Sequence, residues 1–163
     1  MRLSVNLLAA CLFVVVVGSG VVIAKEEAVP LDKIPKAVMD SLLAKFPKAK
    51  IDKCTKEKEG DDVIYDIEFK EEGRKCEADI KEDGTIVNFE KAIEARDLPK
   101  AVSEAIDKRY PKAKYKEVME ETEMKGKEGK LVAYEVVLLT ADNKEVEVKV
   151  TTTGEITEDS GAK

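Results

Sequence analysis

Histidine and tryptophan are absent from these 163 residues, and aromatic side chains make up only 5% of them. Without histidine the chain lacks the commonest general base at neutral pH and the commonest metal ligand. Histidine-dependent nucleophile constellations are thereby excluded. Three cysteines, one of them Cys11 near the N-terminus, are too few for a disulfide-built scaffold. Lysine and arginine (28) form no block or stripe and are interspersed with 34 acidic residues, for a net charge of −6. That pattern excludes an electrostatic footprint for nucleic acid and suits a solvated surface. The basic runs Lys48-Ala49-Lys50 and Lys112-Ala113-Lys114 are too short to change this reading. The acidic stretch Glu57, Glu59, Asp61, Asp62 lacks the spaced oxygen ligands of a calcium loop and reads as a hairpin turn. No residue pattern calls for a metal or a cofactor.

Long hydrophobic runs are also missing, except at the start. Arg2 is the sole charged residue before Lys25, and residues 7–24 are almost wholly apolar. With Val22 and Ala24 as small residues before Lys25, segment 1–24 reads as a signal peptide, which implies a periplasmic or secreted protein with no membrane contact after cleavage. The alternative is a membrane anchor that stays uncleaved, since the run reaches the length of a short spanning helix. Leu8-Ala9-Ala10-Cys11 also resembles a lipid-attachment box, but most of the apolar stretch follows Cys11 instead of preceding it.

What is present is a repeat. Ile34-Pro35-Lys36-Ala37-Val38 matches Leu98-Pro99-Lys100-Ala101-Val102, and Lys45-Phe46-Pro47-Lys48-Ala49-Lys50 matches Arg109-Tyr110-Pro111-Lys112-Ala113-Lys114, both at an offset of 64. Farther on, Tyr65-Asp66-Ile67-Glu68-Phe69 matches Tyr134-Glu135-Val136-Val137-Leu138 at 69, and Gly84-Thr85-Ile86 matches Gly154-Glu155-Ile156 at 70. The second copy has therefore gained about five residues within 120–130.

Each copy opens with a helical stripe: Ile34, Val38, Leu42, Phe46 and Leu98, Val102, Ile106, Tyr110 recur at steps of four. Asp97 is placed to cap the second helix, and Pro47 and Pro111 stop each one. Period-two alternation follows. Val63, Tyr65, Ile67, Phe69 oppose Asp66, Glu68, Lys70, and Cys76, Ala78, Ile80 alternate with Lys75, Glu77, Asp79. Such closely spaced strands must be antiparallel. The expected fold class is α+β: two tandem repeats, each one helix packed on a three- to four-stranded antiparallel β-meander. The expected division is 25–92 and 93–158, two packed domains, with 159–163 as a disordered tail.

The "LP..V...I...YPKAK" pattern, the tyrosine strand and the Asp-Gly or Thr-Gly turn before isoleucine together resemble the PepSY-like domains grouped with secreted β-lactamase inhibitor protein, over residues 29–158. The resemblance implies a bacterial, exported protein that acts by binding or inhibiting another exported protein, and it carries over no catalytic residue. A non-enzymatic, monomeric binding protein is the expectation. A structural or chaperone-like envelope component without a single target is the alternative.

Two local features follow from comparing the copies. Cys54 and Cys76 align with Val118 and Val146; an exported domain invites a disulfide between them, but the first and third strands of a meander lie about 10 Å apart, beyond the roughly 7 Å that a disulfide spans. A bonded pair and two buried thiols both stay open. The outward positions Asp66, Glu68, Lys70 of the first copy become Glu135, Val137, Leu139 in the second. An apolar pair on a face that should be wet asks for a cover. With Met124 in the inserted stretch, Val137, Leu139 and Glu135 form the expected partner surface; a contact within the protein is the alternative use of Val137 and Leu139.

Overall fold

The computed structural model of the protein describes residues 26–162; the expected signal peptide, 1–24, lies outside them. The chain runs β1 (Glu27–Ala28), a 3-10 turn (Leu31–Lys33), α1 (Lys36–Lys45), β2 (Lys50–Glu59), β3 (Asp62–Glu71), β4 (Arg74–Lys81) and β5 (Ile86–Ala92). A second 3-10 turn (Ala95–Asp97) leads into α2 (Lys100–Arg109), β6 (Lys114–Lys125), β7 (Glu128–Leu139), β8 (Glu145–Thr151) and β9 (Ile156–Asp159). Among the described residues no helix is long and apolar enough to cross a membrane.

The strands form one nine-stranded sheet in sequence order, antiparallel throughout. This corrects the expected fold of two tandem helix-on-meander repeats, each with a sheet of its own. Most of the structure is sheet, and β5 pairs with β6 from Asn88↔Glu123 to Ala92↔Met119. The physical reason is the strand edge. A meander ending at β5 would leave a row of unpaired backbone groups, and β6 satisfies them. The outermost strands of the sheet are the very short β1 and β9.

Both helices lie on one face. Phe89, packed under α1, is opposite Thr122, and Lys91 is opposite Glu120 and then Tyr134, packed under α2, so the helix-facing side is continuous across the junction. Under α1, Val38 and Leu42 meet Ile67, Phe69, Ala78 and Ile80; under α2, Val102 and Ile106 meet Val136, Leu138, Val148 and Val150. Each helix begins behind a proline and ends with the amide of Phe46 or Tyr110 donating to the carbonyl of Leu42 (2.7 Å) or Ile106 (2.8 Å). Asp97 ends the 3-10 turn and makes no side-chain cap on α2, whose first-turn amides follow Pro99.

Glycine is required where the β4–β5 and β8–β9 turns press on the helices. Gly84 has φ +90°, and a Cβ there would sit 2.8 Å from the Ala37 carbonyl oxygen; Gly154 has φ +89° and would meet the Ala101 carbonyl oxygen at 2.5 Å. Of the residues expected as a tail, Asp159 and Ser160 are held: Arg109 Nε donates to Asp159 Oδ2 at 2.7 Å, Tyr110 donates to the same carboxylate, and the Ser160 amide donates to the Glu147 carbonyl at 2.9 Å. Cys54 on β2 and Cys76 on β4 are buried free thiols with β3 between them, opposite Ile67 and Phe69 respectively. Burial pushes the Cys54 thiol up to about 11 and raises that of Cys76.

Candidate functional site

The face of the sheet away from the helices carries a continuous band of acidic side chains. Register alone builds it: Lys53, Glu68, Glu77, Glu90 and Glu121 stand directly opposite one another on β2 to β6. Beside that row runs a second, Thr55, Asp66, Asp79 and Asn88. On the other side lie Ala92, Met119, Glu135, Lys149 and Glu158 on β5 to β9. Opposed side chains on an antiparallel pair have Cβ atoms about 5 Å apart, where like charges repel. Four glutamates in one cross-strand row are therefore unfavourable unless cations or protons intervene.

Three lysines intervene in part. Lys53 Nζ is 2.8 Å from Glu68, Lys75 Nζ is 2.8 Å from Glu77 and 2.7 Å from Glu117, and Lys149 Nζ is 2.7 Å from Glu121 and 3.5 Å from Glu135. Glu90 sits between these pairs and, among the described residues, has no hydrogen-bond or ion-pair partner. It is nevertheless 7% exposed, and its neighbours Met119 and Glu121 are 4% exposed.

Burial raises the carboxyl pKa values here, because the charged form loses water. Asp66 is pushed up to about 7, by burial first and then by Asp79, Glu77 and Glu68. Asp79 is pushed to about 6 by burial, against a hydrogen bond from Asn88 that favours its ionised form. Glu90 is held well above the usual carboxylate range by burial and by Glu135, Glu77 and Glu121, which Lys149 offsets in part. Burial raises Glu135 as well, with Lys149 again opposing. A cavity of ≈ 40 Å³ opens among Asp66, Glu77, Asp79, Glu90 and Glu135. It is lined mostly by acceptors. Among the described residues no three histidine, cysteine or acidic side chains are placed to hold a metal ion. Such a surface can take up protons or receive a cationic donor, and it offers no paired nucleophile and base.

The expected partner residues are divided by the structure. Glu135, Val137 and Leu139 share the open face of β7, where half-buried Val137 is flanked by Glu117 and Glu147, and Leu139 by Lys114 and Glu145. Met124 is opposite Gly129 on the helix-facing side, near Thr122 and Phe89, and does not join them. The inserted residues lengthen β6 and β7 to 12 each against 10 for β2 and β3. Sequence reasoning missed Glu90 and Glu121. The available signal was the alternation Asn88, Glu90, Ala92 around Phe89, which puts Glu90 on the polar side; nothing local says that Glu121 would lie beside it.

A profile of the family described as "Putative beta-lactamase-inhibitor-like, PepSY-like" matches the chain in two overlapping segments, residues 20–88 and 64–158. No curated protein matches it. Among solved structures, the chain is similar to a BLIP-like protein from Bacteroides fragilis, with 20% identity, 77% of this chain and 84% of that chain covered, and a TM-score of 0.53. It is similar to a DUF2874 family protein from Bacteroides uniformis, with 18% identity, 77% and 87% coverage and a TM-score of 0.58. A third, from Bacteroides eggerthii and described as "putative periplasmic", has 15% identity, 77% and 86% coverage and a TM-score of 0.60. At these identities the likeness is one of fold.

Proposed function

Because this chain belongs to the PepSY-like, β-lactamase-inhibitor-like family, we propose that it is an exported, non-enzymatic protein that binds another exported polypeptide across the open face of its sheet. The observation that carries this reading is the open face itself: it spans the sheet opposite both helices and combines buried, mutually opposed carboxylates with half-buried Val137 and Leu139. A face that served only to be wet would gain nothing from burying Glu90 and Glu121. The family's description supports inhibition by binding in preference to turnover. The apolar N-terminal layout before Lys25 supports export, as does the similar fold described as "putative periplasmic".

The test is capture from the envelope fraction by the mature protein, compared with a Val137→Asp, Leu139→Asp double variant. The expected outcome is one saturable, stoichiometric complex with the wild type, lost in the variant while its melting temperature stays within a few degrees. A large drop in melting temperature would assign both residues to internal packing, and equal capture by both proteins would move the docking surface elsewhere.

A further inference from the structure

Glu90 contradicts the rule that buried charges are paired. It is more than nine-tenths buried, faces Glu77 across β4 and Glu121 across β6, and borders the cavity that Asp66, Asp79 and Glu135 also line. Its two cross-strand neighbours each hold a lysine, Lys75 on Glu77 and Lys149 on Glu121, and Glu90 holds none among the described residues. An isolated buried carboxylate is costly, and it resolves the cost by keeping a proton or by receiving a cation.

We propose that the cavity beside Glu90 receives the ammonium group of a lysine side chain, presented by a basic segment of the partner polypeptide. This inference rests on the open face being the docking surface and names the chemistry of what docks there. Size and donor count select the ammonium. A cavity of ≈ 40 Å³ exceeds the roughly 10–15 Å³ that one water-sized group needs. An ammonium group carries three donors and no acceptor, which suits walls made of carboxylates. A calcium ion would instead need six to eight oxygens at about 2.3–2.6 Å, and the acidic side chains here do not converge in that way.

Lysines of the chain itself already occupy the equivalent places at Glu68, Glu77 and Glu121, so a lysine from outside would complete the row. Entry of the ammonium displaces the proton from the Glu90 carboxyl into solvent. The groups that face this event are Glu77, Asp79 and Lys75 from β4, Asp66 and Glu68 from β3, Lys53, Thr55 and Glu57 from β2, Glu26 just before β1, Asn88 from β5, Glu121 and Glu117 from β6, Glu135 from β7 and Lys149 from β8. Displacing one proton raises the apparent affinity about tenfold per pH unit while the free carboxyl is protonated. The lysine itself stays charged up to about pH 10.

The experiment is calorimetric titration of the mature protein with an end-capped pentalysine peptide at pH 6 and pH 8, on wild type, Glu90→Gln and the charge-matched control Glu104→Gln on the outer side of α2. The expected result is 1:1 binding, at least tenfold tighter at pH 8 than at pH 6, weakened at least tenfold at pH 8 by Glu90→Gln and by less than twofold by Glu104→Gln. Equal weakening by the two variants, or wild-type affinity independent of pH, overturns the inference and leaves only long-range attraction to an acidic surface. The pH arm uses wild type alone, so an affinity independent of pH overturns the inference even if Glu90→Gln folds poorly. Butylamine binding as tightly as the peptide overturns the assignment to a polypeptide. If Glu90→Gln binds pentalysine like wild type while the Val137→Asp, Leu139→Asp variant still loses partner capture, this inference fails and the docking face stands; if the double variant keeps capture, the docking face fails.

Discussion

The two halves of the sheet are near copies on the side that faces the helices and differ on the side that faces away. Under the helices, Val38, Leu42 and Phe46 correspond to Val102, Ile106 and Tyr110, and the Gly84 turn touches Ala37 as the Gly154 turn touches Ala101. On the open side, Glu68 corresponds to Val137, Lys70 to Leu139 and Asp79 to Lys149. The helix-facing side must exclude water at fixed volume, so substitutions there stay apolar and close in size. No such limit acts on the open side. Its differences put two anions and a cation in the first half and a cation with an apolar pair in the second, and β5–β6 pairing joins them into one surface.

The sharpest way to break this comparison is to disturb the helix-facing turns. Gly84→Ala and Gly154→Ala should each destabilise by roughly 3 kcal/mol, because each adds a Cβ against a helix carbonyl oxygen in a left-handed backbone conformation. Gly60→Ala, also at positive φ but with nothing within 4 Å, should cost only about 1 kcal/mol. Urea unfolding of the three variants checks it. If the Gly84 and Gly154 variants matched Gly60→Ala, the helix and turn contacts would not be what makes the two halves alike.

The open side predicts an unusual pH dependence. Asp66 and Asp79, with folded values of about 7 and about 6, and Glu90 and Glu135, also raised, all hold protons more tightly in the folded chain than unfolded. Their stabilisation is complete below the unfolded carboxyl range near pH 4 and is lost as pH rises through the folded values. The protein should therefore lose on the order of 2 kcal/mol between pH 5 and pH 8. Asp79→Lys, which borrows the cation that Lys149 supplies in the other half, should flatten that slope. Denaturant midpoints at pH 5, 6.5 and 8 measure both, and stability rising toward pH 8 in the wild type would mean that these carboxylates are ionised throughout.

The smallest effect belongs to the cysteines. Cys54→Val and Cys76→Val install the residues that the second half carries as Val118 and Val146, and should each change stability by less than about 1.5 kcal/mol, with no response to reductant in the wild type. A melting temperature that falls when reductant is added to the wild type would reveal a bond between them.

Helix positions, strand alternation and the antiparallel order of neighbours were legible because each rests on residues close in the chain: steps of four in Val102, Ile106, Tyr110, and steps of two in Tyr65, Ile67, Phe69. The outward-facing place of Glu135, Val137 and Leu139 was legible for the same reason. Met124 was misplaced by association with the insertion, since its side of β6 follows from pairing with Gly129 near Phe89 and not from its own neighbours. Asp97 was a plausible cap by spacing, but the 3-10 turn Ala95–Asp97 takes up the residues that would have set it on the helix.

By itself the sequence determined two helix-and-strand phrases, their apolar faces and their turns, because periodicity and glycine or proline chemistry act within a few residues. Tertiary structure alone decided that the phrases share one sheet. Residues 88–92 and 119–123 are separated by a helix, and a strand edge carries no mark in sequence of which other edge will pair with it. Once that edge closed, half-buried Glu77 and buried Glu90 and Glu121 came to stand side by side in one acidic surface.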